Sequence, residues 1–176
     1  MDDVFLNQIT AYKNTQSSKY IPVRGDEILT RVFEFEKYFV STKIDGHLCF
    51  ILKKGKEIVI TNFNGKLFDR SELIDELNKN IGGNDGLFVG EIYVYKNGER
   101  TRSFDLTKGL SEINTRIKIG VFDLLQYNGK AFEESEWEKK KKIIKDLFSK
   151  GEIIHAVKEI ELTSRKEIVN EFNQDI

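Results

Sequence analysis

Short apolar runs separated by glycine- and asparagine-containing turns divide this chain of 176 residues. Proline occurs once, as Pro22, so glycine and asparagine supply almost all of the turn signals. Most runs have the length of a single strand, and the turns between them are short enough to join antiparallel neighbours. These short connections exclude a regular repeat of strand, helix and parallel strand.

Six runs rich in β-branched and aromatic residues predict strands. They lie at 39–42, 47–53, 58–63, 87–95, 117–126 and 153–160. The second and third runs are joined by Lys54-Gly55-Lys56, which predicts a hairpin. The turns Lys96-Asn97-Gly98 and Asn128-Gly129 close the fourth and fifth runs.

Three segments begin with a capping-box pattern and predict helices. The patterns are Asp69 with Glu72, Ser135 with Glu138, and Ser164 with Glu167. Lysines 139–142, within the second of these helices, predict a solvated face rather than a DNA contact. Strands paired through tight turns with helices between them predict an α+β domain at 39–176, made mainly of antiparallel sheets with flanking helices. Residues 1–38 predict a separate helical or extended N-terminal segment.

Composition narrows the class of protein. Lys and Arg number 28 and Asp and Glu 29, so the formal charge of −1 excludes nucleic-acid binding by bulk charge alone. The longest apolar stretch falls far short of the roughly 20 residues that span a membrane, and the acidic N-terminus lacks the pattern of a secretory signal. The single cysteine, Cys49, excludes an intramolecular disulfide. These bounds predict a compact cytoplasmic domain with no membrane partner.

The segment Ser41-Thr42-Lys43-Ile44-Asp45-Gly46 places a lysine after a predicted strand. A lysine amine becomes a nucleophile when burial, a nearby cation or a metal-bound phosphate removes its proton, whose reference pKa is about 10.4. The glycine lets the backbone approach a ligand without a Cβ in the way. Alone the pattern is weak, because about 0.1 such matches arise by chance in a chain of this composition. The alternative interpretation of the same sequence is a solvated lysine beside an Asp-Gly β-turn.

Three later segments add polar or aromatic groups. Glu91 lies within an apolar strand, where its charge is costly unless it meets a ribose hydroxyl, a metal or another partner. An edge strand with Glu91 facing water is the alternative. Phe122 lies in a second apolar strand and offers a ring that can stack on a base. Asn64 and Lys66 close the hairpin with polar groups near phosphate reach.

Together these segments resemble the covalent nucleotidyltransferase superfamily, which comprises ATP-dependent DNA ligases, RNA ligases and mRNA capping enzymes. The similar segments are 43–46 (the nucleophile motif), 64–66 (the following motif), 89–92 (the acidic strand), and 121–125 with Asn128-Gly129 (the base-stacking strand). The Phe-Asp-Leu-Leu strand is most similar to that of ATP-dependent DNA ligases. The resemblance covers residues 39–176 and implies a nucleotidyltransferase (ATP-grasp-like) domain of the DNA ligase and mRNA capping enzyme type.

The resemblance also implies a reaction of DNA repair. Lys43 would attack the α-phosphorus of ATP and form lysyl-AMP, from which AMP passes to a 5′-phosphate at a nick in DNA, or in RNA for an RNA ligase. Glu91 would hold the ribose or Mg²⁺, and Phe122 would stack on adenine. The other nucleotide contacts would be Ser41, Thr42, Asp45 and Gly46, and the nucleic-acid contacts Asn64 and Lys66. The chain would act as a monomer.

Some positions depart from the DNA ligase pattern. Ser41, Leu48 and Phe63 stand where those ligases carry a glutamate and two arginines. The glutamate-glycine strand, the lysine-x-lysine strand and the oligonucleotide-binding domain that follow in the family are missing from residues 39–176. A partial adenylylation domain, weakly active or inactive alone, is therefore predicted, with a non-catalytic adenine-nucleotide-binding module as the alternative.

Overall fold

The structure is a computed structural model that describes residues 3–17, 21–95, 106, 116–132 and 136–174. The helices are α1 (Asp3–Ser17), α2 (Ile28–Arg31), α3 (Ser71–Ile81), α4 (Trp137–Phe148) and α5 (Arg165–Gln174), with a 3₁₀ turn at Gly25–Glu27. The strands are β1 (Tyr38–Val40), β2 (His47–Lys54), β3 (Glu57–Asn62), β4 (Gly86–Val94), β5 (Ile117–Tyr127), β6 (Lys130–Ala131), β7 (Ile154–Ala156) and β8 (Ile160–Leu162). The predicted turn at 96–98 and the capping residue Ser135 lie outside the described residues.

The chain divides into two compact units. The first comprises residues 1–10 and 44–157, and the second comprises 11–43 and 158–176. The first unit contains a six-stranded sheet in the order β3-β2-β4-β5-β6, with β7 also beside β5. The β5–β7 pair is parallel and the other pairs are antiparallel, which confirms the predicted α+β class. No helix in the described part of the chain has the length and apolar character that crossing a membrane requires.

The predicted hairpin is confirmed. Strands β2 and β3 pair from Lys54 opposite Glu57 to Cys49 opposite Asn62. The turn between them contains Gly55 at φ 60°, a left-handed conformation that glycine adopts without steric cost. This hairpin places the segment that follows Lys43 at one end of the sheet and the turn Lys54-Gly55-Lys56 at the other.

One face of the sheet packs against helices α3 and α4. Helix α3 buries Leu73, Leu77 and Ile81, which are spaced four residues apart and so lie on one side of the helix. From α4, Phe148 packs edge-to-face on Phe88 of β4 with ring centroids 5.2 Å apart. Burial of this apolar surface is the main contribution to the stability of the first unit.

The predicted strand at 153–160 is confirmed only over 154–156, because the chain forms two short strands, the second of which begins at Ile160. Strand β7 joins the six-stranded sheet, whereas β8 pairs with β1 in the second unit. The hydrogen bond from Val157 N–H to the Val121 carbonyl, 2.9 Å, is the last that ties this segment to β5. Apolar periodicity shows that a segment is extended and carries no information about which sheet it joins.

In the second unit, helix α5 begins with the predicted capping box. The Glu167 carboxylate accepts hydrogen bonds from the N–H groups of Thr163 (2.7 Å) and Ser164 (3.2 Å), and the Glu167 N–H donates to Ser164 Oγ at 3.3 Å. The box predicted for α3 is wrong. Arg70 is the N-cap there, without a side-chain cap bond, and it pairs with Glu72 at 2.5 Å.

The prediction that residues 139–142 form a solvated face is wrong for one lysine. Lys140 is 3% exposed, and its Nζ lies 3.0 Å from Asp123 Oδ1 on β5. Lys139 and Lys142 are exposed and pair with Glu136 and Asp146 at the surface. Lys140 therefore belongs to the buried side of α4, together with Ile144 and Phe148.

Candidate active site

Four neighbouring strands contribute one residue each to a row across the sheet. Leu48 of β2 is opposite Glu91 of β4, and Glu91 is opposite Gly120 of β5. Gly120 is beside His155 of β7. Because paired residues point to the same face of a sheet, the row carries a carboxylate and an imidazole with a bare Cα between them.

The segment 44–46 crosses this row. The Gly46 N–H donates a hydrogen bond to Glu91 Oε1 at 3.1 Å. The side chain of Ile44 lies against the Cα of Gly120, where any Cβ would overlap Ile44 Cδ1 and lie 3.0 Å from Val157 Cγ2. The absence of a side chain at Gly46 and at Gly120 therefore allows the segment 44–46 to lie directly on β4 and β5.

We expect Gly46→Ala to pull this segment off the sheet. A Cβ at residue 46 would overlap the carbonyl oxygen of Ile92 and lie 2.9 Å from Glu91 Cγ. The β4 backbone is held by both of its neighbours, so the turn must move and its hydrogen bond to Glu91 is lost. The free energy of unfolding should fall by about 1–3 kcal/mol, measured by urea denaturation.

The matched control for this substitution is Gly83→Ala. A Cβ at residue 83 meets no atom within 4 Å, so the free energy of unfolding should change by less than about 0.5 kcal/mol. Equal losses in the two variants would show that the close approach of Gly46 to β4 does not hold the turn.

The predicted nucleophile precedes this crossing. Lys43 is exposed and ends the first segment of the second unit, and Ile44 begins the longer segment of the first unit. Ser41, Thr42 and Asp45 are also exposed. Strand β1 ends at Val40, not at Thr42 as predicted, so residues 41–46 form an irregular connection between β1 and β2. Their roles toward a nucleotide stay predictions.

Phe122 lies at a β-bulge that the sequence did not reveal. Val89 is opposite Asp123 and Gly90 is opposite Val121, so Phe122 is the extra residue on β5. A bulge re-aims the side chain of the extra residue and increases the local twist. Phe122 is half-buried there, and its stacking on a base stays a prediction.

Asn64 and Lys66 lie in the turn that follows β3. The side-chain oxygen of Asn62 accepts the N–H groups of both residues at 3.0 Å, and Gly65 has φ 80°. This asparagine-centred turn leaves both side chains exposed. Because Asn62 is opposite Cys49 at the end of the β2–β3 pairing, the turn is at the same end of the sheet as Gly46.

Two residues that sequence reasoning did not select lie on the same face of the sheet as Glu91. The Tyr93 hydroxyl is 3.4 Å from His155 Nε2, and the two rings meet edge-to-face. Tyr93 follows Glu91 by two residues and so shares its face, a signal that was present in the sequence. His155 joins them through the β5–β7 pairing, which no local pattern predicts.

Burial shifts the pKa values of three titratable groups near this row of residues. It lowers the pKa of His155, and the nearby Lys118 charge lowers it further, so the imidazole is neutral at pH 7. Burial also raises the pKa of the Tyr93 phenol, as does the neighbouring Tyr95. For Cys49, burial and then the charge of Glu91 raise the pKa of the thiol, which excludes a reactive thiolate there.

The metal-ligand set of the described residues is small. No group of three or more His, Cys, Asp or Glu side chains in that part of the chain is placed to hold a metal ion. Mg²⁺ in nucleotide sites is commonly bound by one or two carboxylates together with water and substrate phosphates. Glu91 can supply one such carboxylate, so the residues fit an ion that arrives with a nucleotide better than a resident ion.

The fold matches those of solved ligase domains, whereas no family model and no curated protein matches the sequence. The ligase domain of LigD from M. tuberculosis superposes with a TM-score of 0.60 at 13% identity over 78% of this chain. A mycobacterial DNA ligase D complexed with ATP and MES gives 0.56 at 14% identity over 78%. A protein named Pmar-Lig_Pre gives 0.59 at 14% identity over 88%.

This chain spans less than half the length of these structures, namely 46%, 45% and 38%. The similarity confirms the predicted resemblance at the level of the fold. The described residues have the α+β fold of the ligase nucleotidyltransferase domain, over part of its length.

Proposed function

We propose that this chain is part of an ATP-dependent polynucleotide ligase that seals nicks in DNA through a lysyl-AMP intermediate at Lys43. The hydrogen bond between Gly46 and Glu91 carries the proposal. It joins two motifs that lie 45 residues apart in the sequence, the Lys-x-Asp-Gly segment and the acidic strand. A chance Asp-Gly turn gives no reason for contact with Glu91, the carboxylate that the resemblance implies at the ribose or Mg²⁺.

In the first step, Lys43 Nζ loses a proton and attacks the α-phosphorus of ATP. The N–P bond forms as the bond from the α-phosphorus to the bridging oxygen of the β-phosphate breaks, and pyrophosphate leaves with the electron pair. Glu91 holds the ribose and Phe122 stacks on adenine, so the nucleotide is bound in one orientation for the attack. Mg²⁺, which Glu91 would help to hold together with the nucleotide, would neutralise charge on the phosphates.

In the second step, an oxygen of the 5′-phosphate at the nick attacks the same phosphorus. The N–P bond breaks, and its electron pair returns to Lys43 Nζ, which takes up a proton. The 3′-hydroxyl of the neighbouring strand then attacks the 5′-phosphate. The hydroxyl loses its proton and the new phosphodiester bond forms as the bond from this phosphorus to the bridging oxygen of AMP breaks, so AMP leaves with the electron pair.

The test is incubation of the chain with ATP labelled at the α-phosphate and Mg²⁺, followed by denaturing electrophoresis. We expect label on the protein at a slow rate, and release of that label by nicked, 5′-phosphorylated DNA. Release by nicked RNA alone would assign an RNA ligase. ATP binding without any covalent label would instead identify a non-catalytic nucleotide-binding module.

A further inference from the structure

We propose that Tyr93, Lys118 and His155 form a phosphate-binding subsite on the side of Glu91 away from Phe122. This subsite deepens the proposed function and depends on it for the orientation of the nucleotide. The ligand is a phosphate group, either the departing pyrophosphate or the 5′-phosphate of the nucleic-acid end.

The order of residues along β4 and β5 sets the direction of the nucleotide. Phe122 lies level with Val89 and Gly90, Glu91 is level with Gly120, and Tyr93 is level with Lys118. A nucleotide whose base stacks on Phe122 and whose ribose meets Glu91 therefore directs its phosphates toward Tyr93 and Lys118.

The turn after β3 supports the same direction. Its first residue, Asn62, is opposite Cys49, which is in turn opposite Gly90. The chain beyond Asn62 therefore continues toward the Glu91 and Tyr93 end of the sheet. Asn64 and Lys66, the residues that the resemblance places near phosphate and nucleic acid, are in this continuation.

Lys118 has the charge that a phosphate requires. Its Nζ lies 4.3 Å from the centroid of the Tyr95 ring, and it makes no ion pair with a carboxylate of the described residues. A half-buried lysine that packs on an aromatic ring without an acidic partner keeps its hydrogen-bond donors available for an anion.

Tyr93 and His155 add neutral hydrogen-bonding groups next to this cation. The Tyr93 hydroxyl and His155 Nε2 are 3.4 Å apart, at the long limit of a hydrogen bond. His155 Nδ1 is buried near the backbone of Ile153, but no hydrogen bond of ordinary length and angle joins it to a described residue. A polar pair that is this poorly satisfied in the unliganded chain gains from a phosphate oxygen that accepts from the tyrosine.

The test is isothermal titration of the chain with sodium pyrophosphate and, separately, with a 5′-phosphorylated dinucleotide. Hydrogen bonds to charged groups contribute enough that Lys118→Gln should weaken binding at least about 10-fold and Tyr93→Phe about 5-fold. If Lys118→Gln weakens the binding of pyrophosphate alone, the subsite holds the leaving group. If it weakens the binding of the dinucleotide alone, the subsite holds the 5′-phosphate that accepts AMP.

Two matched controls are available. Tyr95→Phe keeps the ring under Lys118 and removes only the hydroxyl of an exposed residue. Lys130→Gln removes another lysine that packs on a ring, Phe132 at 4.6 Å. Both should bind within about 2-fold of the parent chain, and melting curves should show that all four variants fold.

The outcomes separate the subsite from the proposed function. Binding that requires Lys118 and Tyr93 in a chain that never acquires the AMP label would support the subsite and refute the ligase chemistry. A labelled chain in which both variants bind both ligands as the parent does would refute the subsite alone. If neither pyrophosphate nor the dinucleotide binds to the parent chain, the subsite is also refuted.

Discussion

Replacing Lys140 by alanine lowers the free energy of unfolding by about 3–5 kcal/mol, the largest loss of stability that we expect from one substitution in the described residues. The Lys140 side chain is 3% exposed and that of Asp123 is 10% exposed, with Nζ and Oδ1 3.0 Å apart. Removal of the ammonium leaves a buried carboxylate whose remaining hydrogen-bond donor among the described residues is the Leu124 N–H, at 2.7 Å. A buried charge with a single neutral donor is costly.

Urea denaturation followed by circular dichroism measures this loss. Lys142→Ala is the matched control, because its side chain is 76% exposed and its pair with Asp146 should contribute less than about 1 kcal/mol. A double variant, Asp123→Leu with Lys140→Met, removes both charges and should recover most of the stability. A single variant as stable as the control would show that the pair is not a buried one.

The position of Lys140 could have been predicted from its spacing. It precedes Ile144 by four residues and Phe148 by eight, so it shares their side of helix α4. Four consecutive lysines are typical of a solvated face, and this charge pattern masks the four-residue spacing of the buried positions. The residue that pairs with Lys140, Asp123, is on β5. A contact between a helix and a strand depends on tertiary packing, which the local sequence pattern does not contain.

Local patterns were sufficient for the hairpin, for most of the strands and for the helices α3, α4 and α5. They also selected Glu91 and Gly46, which the structure joins by a hydrogen bond. The bulge at Phe122 and the approach of His155 to Tyr93 depend on the register between strands that are distant in sequence. Register is decided by the packing of both faces of the sheet, which a single strand does not reveal.

Replacing Lys43 by arginine abolishes the AMP label, lowering its rate of formation by more than about 10³-fold. Arginine keeps the positive charge, but its guanidinium is not deprotonated in proteins and so offers no lone pair for attack on phosphorus. Lys43 is exposed, so the free energy of unfolding should change by less than about 0.5 kcal/mol. Loss of label in a chain of unchanged stability therefore reports on chemistry rather than on folding.

The matched control is Lys54→Arg, an exposed lysine at the far end of β2 from Gly46. It should acquire label at the parent rate in the same assay with α-labelled ATP and Mg²⁺. Pyrophosphate added to the labelled parent chain should regenerate ATP, because the first step is reversible when the phosphoramidate carries AMP. Label that persists in Lys43→Arg would place the nucleophile at another residue. The Gly46–Glu91 contact supports the proposal only if Lys43, which lies in the same motif as Gly46, is the nucleophile. Label that persists without Lys43 would therefore contradict the proposed function.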